Sequence, residues 1–576
     1  MTKKHQGIDG GLTNYGDRDF ARYLRRSFAK SMGYTDKSLD KPIVGICYTE
    51  SGFNNCHRHF PEMLEAVKRG VLAEGALPVA FPVISLGEVF LSPTSLVYRN
   101  LMAMAVEEMI RAQPMDSVVL MGGCDKTVPA LLMGAASAGK PAAMVVAGPM
   151  MTGRHRGERL GACTDCRRFW ASYRAGAIDE AEIGVVEGRL AVTAGTCAVM
   201  GTASTMALIA ETLGFLLPGT AAIPAVHADR LRASEETGAL AARMAVTGEP
   251  TPDRLITRES VDNAMRVLLA VSGSTNAIIH LAAIAGRLGI DIDLARFNAM
   301  SDETPVLVDL KPVGAGYMED FHAAGGLDGV LRGIADKLAR DCRDVTGETL
   351  AERLQRPLLD PIDANVIRPA KSPVSPVGGL IALTGTLAPE GAILKRAAAT
   401  PALLEHEGRA VVFSSLEDLA ARIDDPDLDV KADDILVLQN AGMPEAGYLP
   451  IPKKLARAGV KDMVRISDAR MSGTAFGTIV LHVTPEAAAG GPLALVRSGD
   501  RIRLSAGQKR IDLLVDEAEL DARRASLPPP QPAPERGYLR LYHDSVLPAT
   551  RGCDFDFLAG PVRGSGRGAG PDQDRS

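Results

Sequence analysis

Residues 117–126 read SVVLMGGCDK: a short apolar run, two glycines, then a cysteine, a carboxylate and a lysine. An apolar run of this length closed by glycine reads as a buried strand, with the polar residues where the strand ends. Three runs of the same kind follow the pattern, KPIVGICYT (41–49), ALPVAFPVI (76–84) and PAAMVVAGP (141–149). Between them, 61–75 and 96–112 space their apolar residues as helices do. Strand–helix alternation predicts an α/β fold whose N-terminal part is a doubly wound parallel sheet with helices on both faces. Such sheets gather their ligands at the carboxyl ends of strands. That rule singles out Asn54–Cys56 and Gly122–Lys126, each just after a predicted strand.

Further along, 201–300 reads as mostly helical, with 260–288 as one example. The texture changes at 371–387 (KSPVSPVGGLIALTGTL), rich in Pro, Gly and Ser. Beyond it come short β-like runs at 380–384, 410–413, 434–438, 478–483, 501–504 and 510–515. Regular short strands with turn signals predict a C-terminal β-rich, barrel-like domain. The expected division is an N-terminal α/β domain over 1–370, a β-rich domain over 371–558 and a disordered tail over 559–576. Residues 527–537 (LPPPQPAPERG) read as a stiff linker. No internal repeat is present.

A chain of 576 residues is long enough for at least two cores. It is 46% hydrophobic and 23% charged, the balance of a soluble globular protein. Its net charge of −6 and the lack of a basic stripe argue against nucleic-acid binding. Aromatic content of 4%, with one Trp, argues against a stacking platform for bases or sugars. No apolar run approaches the roughly 20 residues of a spanning helix, so no membrane partner is expected. The polar start of the chain has no apolar export segment. Eight cysteines scattered along a long chain are no secreted disulfide framework, and a reducing cytoplasm is expected.

Cys56, Cys124 and Cys197 each stand in a glycine-rich or polar turn. A lone cysteine is ordinarily a small core hydrophobe. Three of them about 70 residues apart match no local metal motif. Cys163 and Cys166 form a CxxC, which by spacing looks more like a redox pair or half a zinc site. Without a second such pair they are expected to be unpaired thiols. His280, in an apolar helical run, reads as a hydrogen-bonded core histidine. The arginines within 154–159 fit either a carboxylate-binding patch or a solvated loop.

Set beside Gly442-Met443-Pro444-Glu445, Ser467-Asp468-Ala469-Arg470-Met471-Ser472-Gly473-Thr474, Gly378-Gly379-Leu380 and 385–391 (GTLAPEG), the GGCDK stretch resembles the dihydroxy-acid and sugar-acid dehydratase family. These motifs occur in the family's order over nearly the whole chain. The resemblance implies a hydro-lyase in which Cys56, Cys124 and Cys197 ligate an iron–sulfur cluster with one iron left open. Such an iron is a Lewis acid for a departing hydroxyl. Three thiolates fit a 2Fe–2S or a 4Fe–4S centre, and the sugar-acid branch points to 2Fe–2S. The resemblance also implies Mg2+ held by Glu88, Asp125, Glu445 and Lys126. Hard oxygens suit that ion. A lysine ammonium has no lone pair to offer, and in the family this lysine is a carbamate; taken alone, Lys126 reads as a charge partner of Asp125. Ser472 maps to the base and Thr474 to a substrate hydrogen bond.

The implied reaction takes water from a small polyhydroxy acid. Ser472 removes the C2 proton, the 3-hydroxyl leaves, and the enol becomes a 2-keto-3-deoxy acid. Branched-chain dihydroxy-acid dehydratases typically carry Asn after GGCDK and Asn-Thr-Cys-Asn at the first cysteine. Here Thr127 and Asn54-Asn55-Cys56-His57 stand closer to the pentonate and hexonate dehydratases, and 552–558 (GCDFDFL) resembles the arabinonate-type group. The expected substrate is therefore an aldonate such as L-arabinonate, D-xylonate or a hexonate. The alternatives are a branched-chain dihydroxy acid, or a non-catalytic iron–sulfur sensor. Members of the arabinonate group often carry a histidine shortly before that last segment. Here the nearest is His543, and Ser545 takes the usual place, which leaves the choice of acid open. A homodimer or homotetramer is expected from the family.

Overall fold

The computed structural model describes residues 6–12, 14–358, 361–440, 447–471, 476–529 and 532–560. Four strands form the predicted parallel sheet: β1 (Ile43–Tyr48), β2 (Leu77–Pro82), β3 (Ser117–Gly122) and β4 (Ala142–Val146), in the order β2-β1-β3-β4. Their side chains alternate between two apolar layers, as strand geometry requires. On one face Val44, Ile46 and Val119 pack against the helices Phe60–Ala73 and Ala228–Thr247. On the other, Cys47, Val118 and Leu120 pack against Ser95–Ala112 and Thr127–Ala138. The sheet is doubly wound.

The helical stretch is present as Thr202–Thr212, Ala228–Thr247, Arg258–Ala270, Asn276–Gly286 and Leu294–Glu303. The run read as continuous over 260–288 is two helices. Val271-Ser272-Gly273-Ser274-Thr275 breaks it, because Ser272 takes a positive φ of 46° and the Ser274 amide turns to Thr205 Oγ1 at 3.1 Å. A small hairpin, β5 (Gly153–His155) and β6 (Glu158–Leu160), follows the first sheet and was not anticipated.

The C-terminal β structure has eight strands: β7 (Ile381–Leu383), β8 (Gly391–Leu394), β9 (Glu405–Phe413), β10 (Ile435–Leu438), β11 (Arg465–Ser467), β12 (Ile479–Thr484), β13 (Arg501–Ser505) and β14 (Arg510–Leu513). They run in the order β14-β13-β9-β10-β11-β12-β8-β7. The edge strands meet where the Thr384 and Ile511 amides donate to Lys509 O and Thr384 O, each at 3.0 Å, so the sheet curls into a nearly closed barrel. Ile435, Val437, Ile466, Val480, Ile502 and Ile511 fill its inside. Each of the six β-like runs lies on a strand. β8 escaped sequence reading because it is embedded in a glycine-rich motif, and β11 because two of its three residues, Arg465 and Ser467, are polar. β9 to β12 pair in parallel, with short helices such as Leu416–Arg422 and Lys453–Arg457 in the connections.

The two parts share a core. Leu380, Ala382 and Ile393 pack in the same cluster as Leu120 of the first sheet and Met102 of the helix Ser95–Ala112. Helix Gly537–Ser545 and the strand-like turn after it dock on Ser95–Ala112, where Arg99 donates to Gly552 O at 2.6 Å and Cys553 O at 2.9 Å. Among the described residues no helix is long and apolar enough to cross a membrane.

Candidate active site

The carboxyl ends of the four parallel strands lead to one place, and three of them deliver polar residues there. β1 leads to the tight turn Asn55–His57, β2 to the loop holding Glu88, and β3 through Gly123 to Cys124, Asp125 and Lys126. β4 leads to Gly148 and Pro149, and the Thr196 amide donates to Gly148 O at 2.9 Å, which sews Cys197 onto the same edge. Gly195, with φ of 115°, makes that approach possible, since a Cβ there would lie 2.8 Å from Gly148 O.

His57 organises the cysteine turns. Its Nδ1 donates to Thr49 O at 2.7 Å, so Nε2 is free to accept the Cys124 amide at 2.9 Å. Burial lowers this imidazole to about 3, keeping it neutral in that tautomer. The ring also stacks on Phe60 at 4.3 Å. Sequence reading passed over His57, whose only signal was its place beside Cys56.

Cys56 meets Cys124. The hydrogen bond between them, burial, and the nearby Cys197 and Asp125 push the Cys56 thiol well above its ordinary value. Cys124 Sγ lies 3.7 Å from Asp125 Oδ1. The three cysteines selected by resemblance therefore share one neighbourhood. Cys163 and Cys166 are unpaired thiols, as expected, and the pair lies against the same neighbourhood: Cys163 Sγ is 3.0 Å from Cys197 Sγ. All eight cysteines are free thiols.

Beside the thiols, Lys126 is fully buried and its ammonium bridges Asp125 and Glu88, reaching Glu88 Oε2 at 3.1 Å. In this form it is the charge partner that its sequence position suggests. Burial would raise the Glu88 carboxyl, yet Lys126, Arg470 and a Ser95 hydroxyl hold it down at about 2. Arg470, after β11, donates to Glu88 Oε1 at 3.4 Å and to Thr94 Oγ1, and so joins the barrel to the first sheet's edge. Asn276 donates to Met471 O at 2.9 Å, fixing the last described residue before Ser472. Glu445, Ser472 and Thr474 lie outside the described residues.

The donor set suits what the resemblance implies. Glu88 and Asp125 present hard carboxylate oxygens to one point, as Mg2+ prefers. Among the described residues no three His, Cys, Asp or Glu side chains gather around a single ion. Thiolates on a polynuclear cluster bind different irons and need not converge on one.

Other candidates have structural roles. His280 is buried and hydrogen-bonded through Nδ1 to Arg99 at 3.1 Å, as expected of a core histidine. Arg159 is engaged with Glu319 and Asp320 at 3.1 and 2.8 Å and Arg156 with Glu182 at 3.1 Å, while Arg154 is exposed on the hairpin. His543 is exposed and paired with Asp544 at 3.1 Å.

Known proteins resemble this chain along most of its length. Residues 41–353 match the dihydroxy-acid/6-phosphogluconate dehydratase N-terminal model, and 365–553 match the C-terminal one. The chain belongs to the dihydroxy-acid/6-phosphogluconate dehydratase family. Dehydratases of this family are hydro-lyases. An L-arabonate dehydratase of Azospirillum brasilense is 46% identical over 95% of this chain and 96% of its own length. A 6-deoxy-6-sulfo-D-gluconate dehydratase of Pseudomonas putida is 43% identical over 97% and 98%. A dihydroxy-acid dehydratase of Carboxydothermus hydrogenoformans is 37% identical over 92% and 97%.

Proposed function

We propose that this family member dehydrates an aldonic acid to its 2-keto-3-deoxy acid. The observation that carries the reading is the meeting of Glu88, Asp125 and buried Lys126 beside Cys124 at the sheet's carboxyl edge. The greater identity to the two sugar-acid dehydratases than to the dihydroxy-acid dehydratase supports an aldonate over a branched-chain acid. Thr127 and the Asn54–His57 turn favour the same branch.

Cys56, Cys124 and Cys197 would hold an iron–sulfur cluster, 2Fe–2S by likeness to that branch. Glu88, Asp125, Glu445 and Lys126 as its carbamate would hold Mg2+. When bound, these groups supply Lewis acidity toward the carboxylate and hydroxyls of the acid. Ser472 Oγ takes the C2 proton, and Thr474 hydrogen-bonds the substrate. Arg470 keeps Glu88 ionised and oriented, and His57 fixes the turn that presents Cys124. Eight free thiols support a reducing, cytoplasmic setting. Exposed Phe20, Tyr23 and Phe28 on the helix Arg18–Ser31 support a homodimer or homotetramer.

The test is an anaerobic assay of the purified protein on a panel of aldonates beside 2,3-dihydroxyisovalerate. Turnover of an aldonate is expected; turnover of the branched-chain acid alone would overturn the substrate class. A loaded cluster with no turnover on any acid would favour a redox sensor. Ser472→Ala should abolish turnover while the visible cluster spectrum persists, and near-normal turnover would refute Ser472 as the base.

A further inference from the structure

Cys163 and Cys197 come together from segments held independently of either thiol. Residue 162 is tied to 198 by the Ala198 amide, which donates to Ala162 O at 3.0 Å. Two residues after Cys163, buried Asp165 accepts from the Gly161 amide at 2.8 Å, Lys311 at 2.9 Å and the Tyr317 hydroxyl at 2.9 Å. On the other side, Thr196 is stitched to β4's extension through Gly148 O and the Met150 amide, the latter at 2.8 Å. Between these anchors the Cys163 and Cys197 Sγ atoms lie 3.0 Å apart, about 1 Å beyond a disulfide bond. Both residues are only partly buried, so a small oxidant has a way in. Cys166 is the competing partner, and its thiol is turned to the Cys163 carbonyl at 2.6 Å.

We propose that Cys163 and Cys197 form a reversible disulfide in the cluster-free chain, which withdraws one thiol of the cluster site until it is reduced. With oxidised glutathione as oxidant, a thiolate of the pair attacks the glutathione disulfide and releases one glutathione. The second cysteine sulfur then displaces the other glutathione and closes the Cys163–Cys197 bond. Two cysteine thiols lose their protons and two electrons pass to the oxidant, giving two molecules of glutathione. The bond stands on the geometry alone; its effect on loading rests on reading Cys56, Cys124 and Cys197 as the cluster thiols. Cys163 is thereby a lock on the site, outside the ligand set.

The cluster-free full chain is oxidised with glutathione disulfide, alkylated, digested and mapped by mass spectrometry, with and without later reduction by dithiothreitol. The expected result is a Cys163–Cys197 linked peptide that reduction removes. A Cys163–Cys166 link, or full alkylation of both Cys163 and Cys197, overturns the proposal. Wild type and Cys163→Ser are then given iron and sulfide anaerobically, before and after oxidation, and visible absorption is followed. Oxidised wild type should lose loading, while oxidised Cys163→Ser keeps it. Equal loading of oxidised and reduced wild type overturns the lock, as does a reduced, folded Cys163→Ser chain that takes up no cluster. Cys166→Ser keeps the mapping decisive should Cys163→Ser fail to fold, since the linked peptide is expected in it unchanged. A reduced wild type that loads no iron refutes the cluster reading and leaves the disulfide to the mapping.

Discussion

Two runs of four parallel strands face the candidate site, β1 to β4 in the open sheet and β9 to β12 in the barrel. The open sheet sends thiols and carboxylates from the ends of β1, β2 and β3, and the extension of β4 holds the segment that carries Cys197. Each turn is fixed by bonds to a neighbouring turn, such as His57 to the Cys124 amide and Thr196 to Gly148. From the barrel, the described residues bring one cation, Arg470, onto the acidic edge of the other sheet. The site is thus an acidic, sulfur-rich edge met by Arg470, whose ion pair with Glu88 adds to the shared apolar core in joining the two halves. Like charge on both sides would repel in such a poorly solvated place.

The comparison breaks most severely at Lys126. In the metal-free chain, where Lys126 is an ammonium, Lys126→Met leaves Glu88 and Asp125 without their shared cation. Breaking a fully buried pair costs about 3–5 kcal/mol, and the partial exposure of Glu88 places this loss at or below the lower end. Urea denaturation should show that loss, with turnover abolished; wild-type stability would mean the edge is not held by charge.

His57→Phe keeps the stack on Phe60 and deletes the acceptor for the Cys124 amide. An orphaned buried amide costs about 1–3 kcal/mol. Iron uptake by the variant should fall, and full uptake would show that the turn stands without the histidine.

Acid separates the two regions in another way. Burial lowers His57 and His482 to about 3 and holds His280 well below its ordinary value, whereas burial raises Asp468 in the barrel loop to about 7. Between about pH 4 and 6.5 the unfolded chain binds three histidine protons that the native one lacks, and the native chain binds one Asp468 proton that the unfolded one lacks. From these four groups stability rises with pH across that window, by about 1.4 kcal/mol per unit for each of the two net protons. Denaturation midpoints at pH 4.5 and 6 would check the sign, and a flat or falling curve would contradict it. The smallest effect is expected at His543. His543→Ala removes an exposed pair and should change stability by less than about 0.5 kcal/mol, with turnover unchanged.

Much of this was legible beforehand. The four strands of the open sheet and the six β runs of the barrel follow from short apolar stretches, a local signal. Cys124, Asp125 and Lys126 were found because they are contiguous and end a strand. Arg470 stood inside a quoted motif but had no assigned partner, since Glu88 lies 382 residues away. Cys163 was set apart from the cluster thiols because its spacing to Cys166 is a strong local pattern, whereas its contact with Cys197 is a product of the fold. His57 was missed because its work is a backbone hydrogen bond to a residue 67 positions on.

The sequence by itself determined the layers, the strand ends that carry chemistry, and the family, since periodicity and contiguous motifs are properties of neighbours along the chain. Only the tertiary structure decided which thiols touch, which carboxylate meets Lys126, and that the barrel's Arg470 closes the acidic edge. Those contacts join segments tens to hundreds of residues apart, and they form only when two sheets pack through one core.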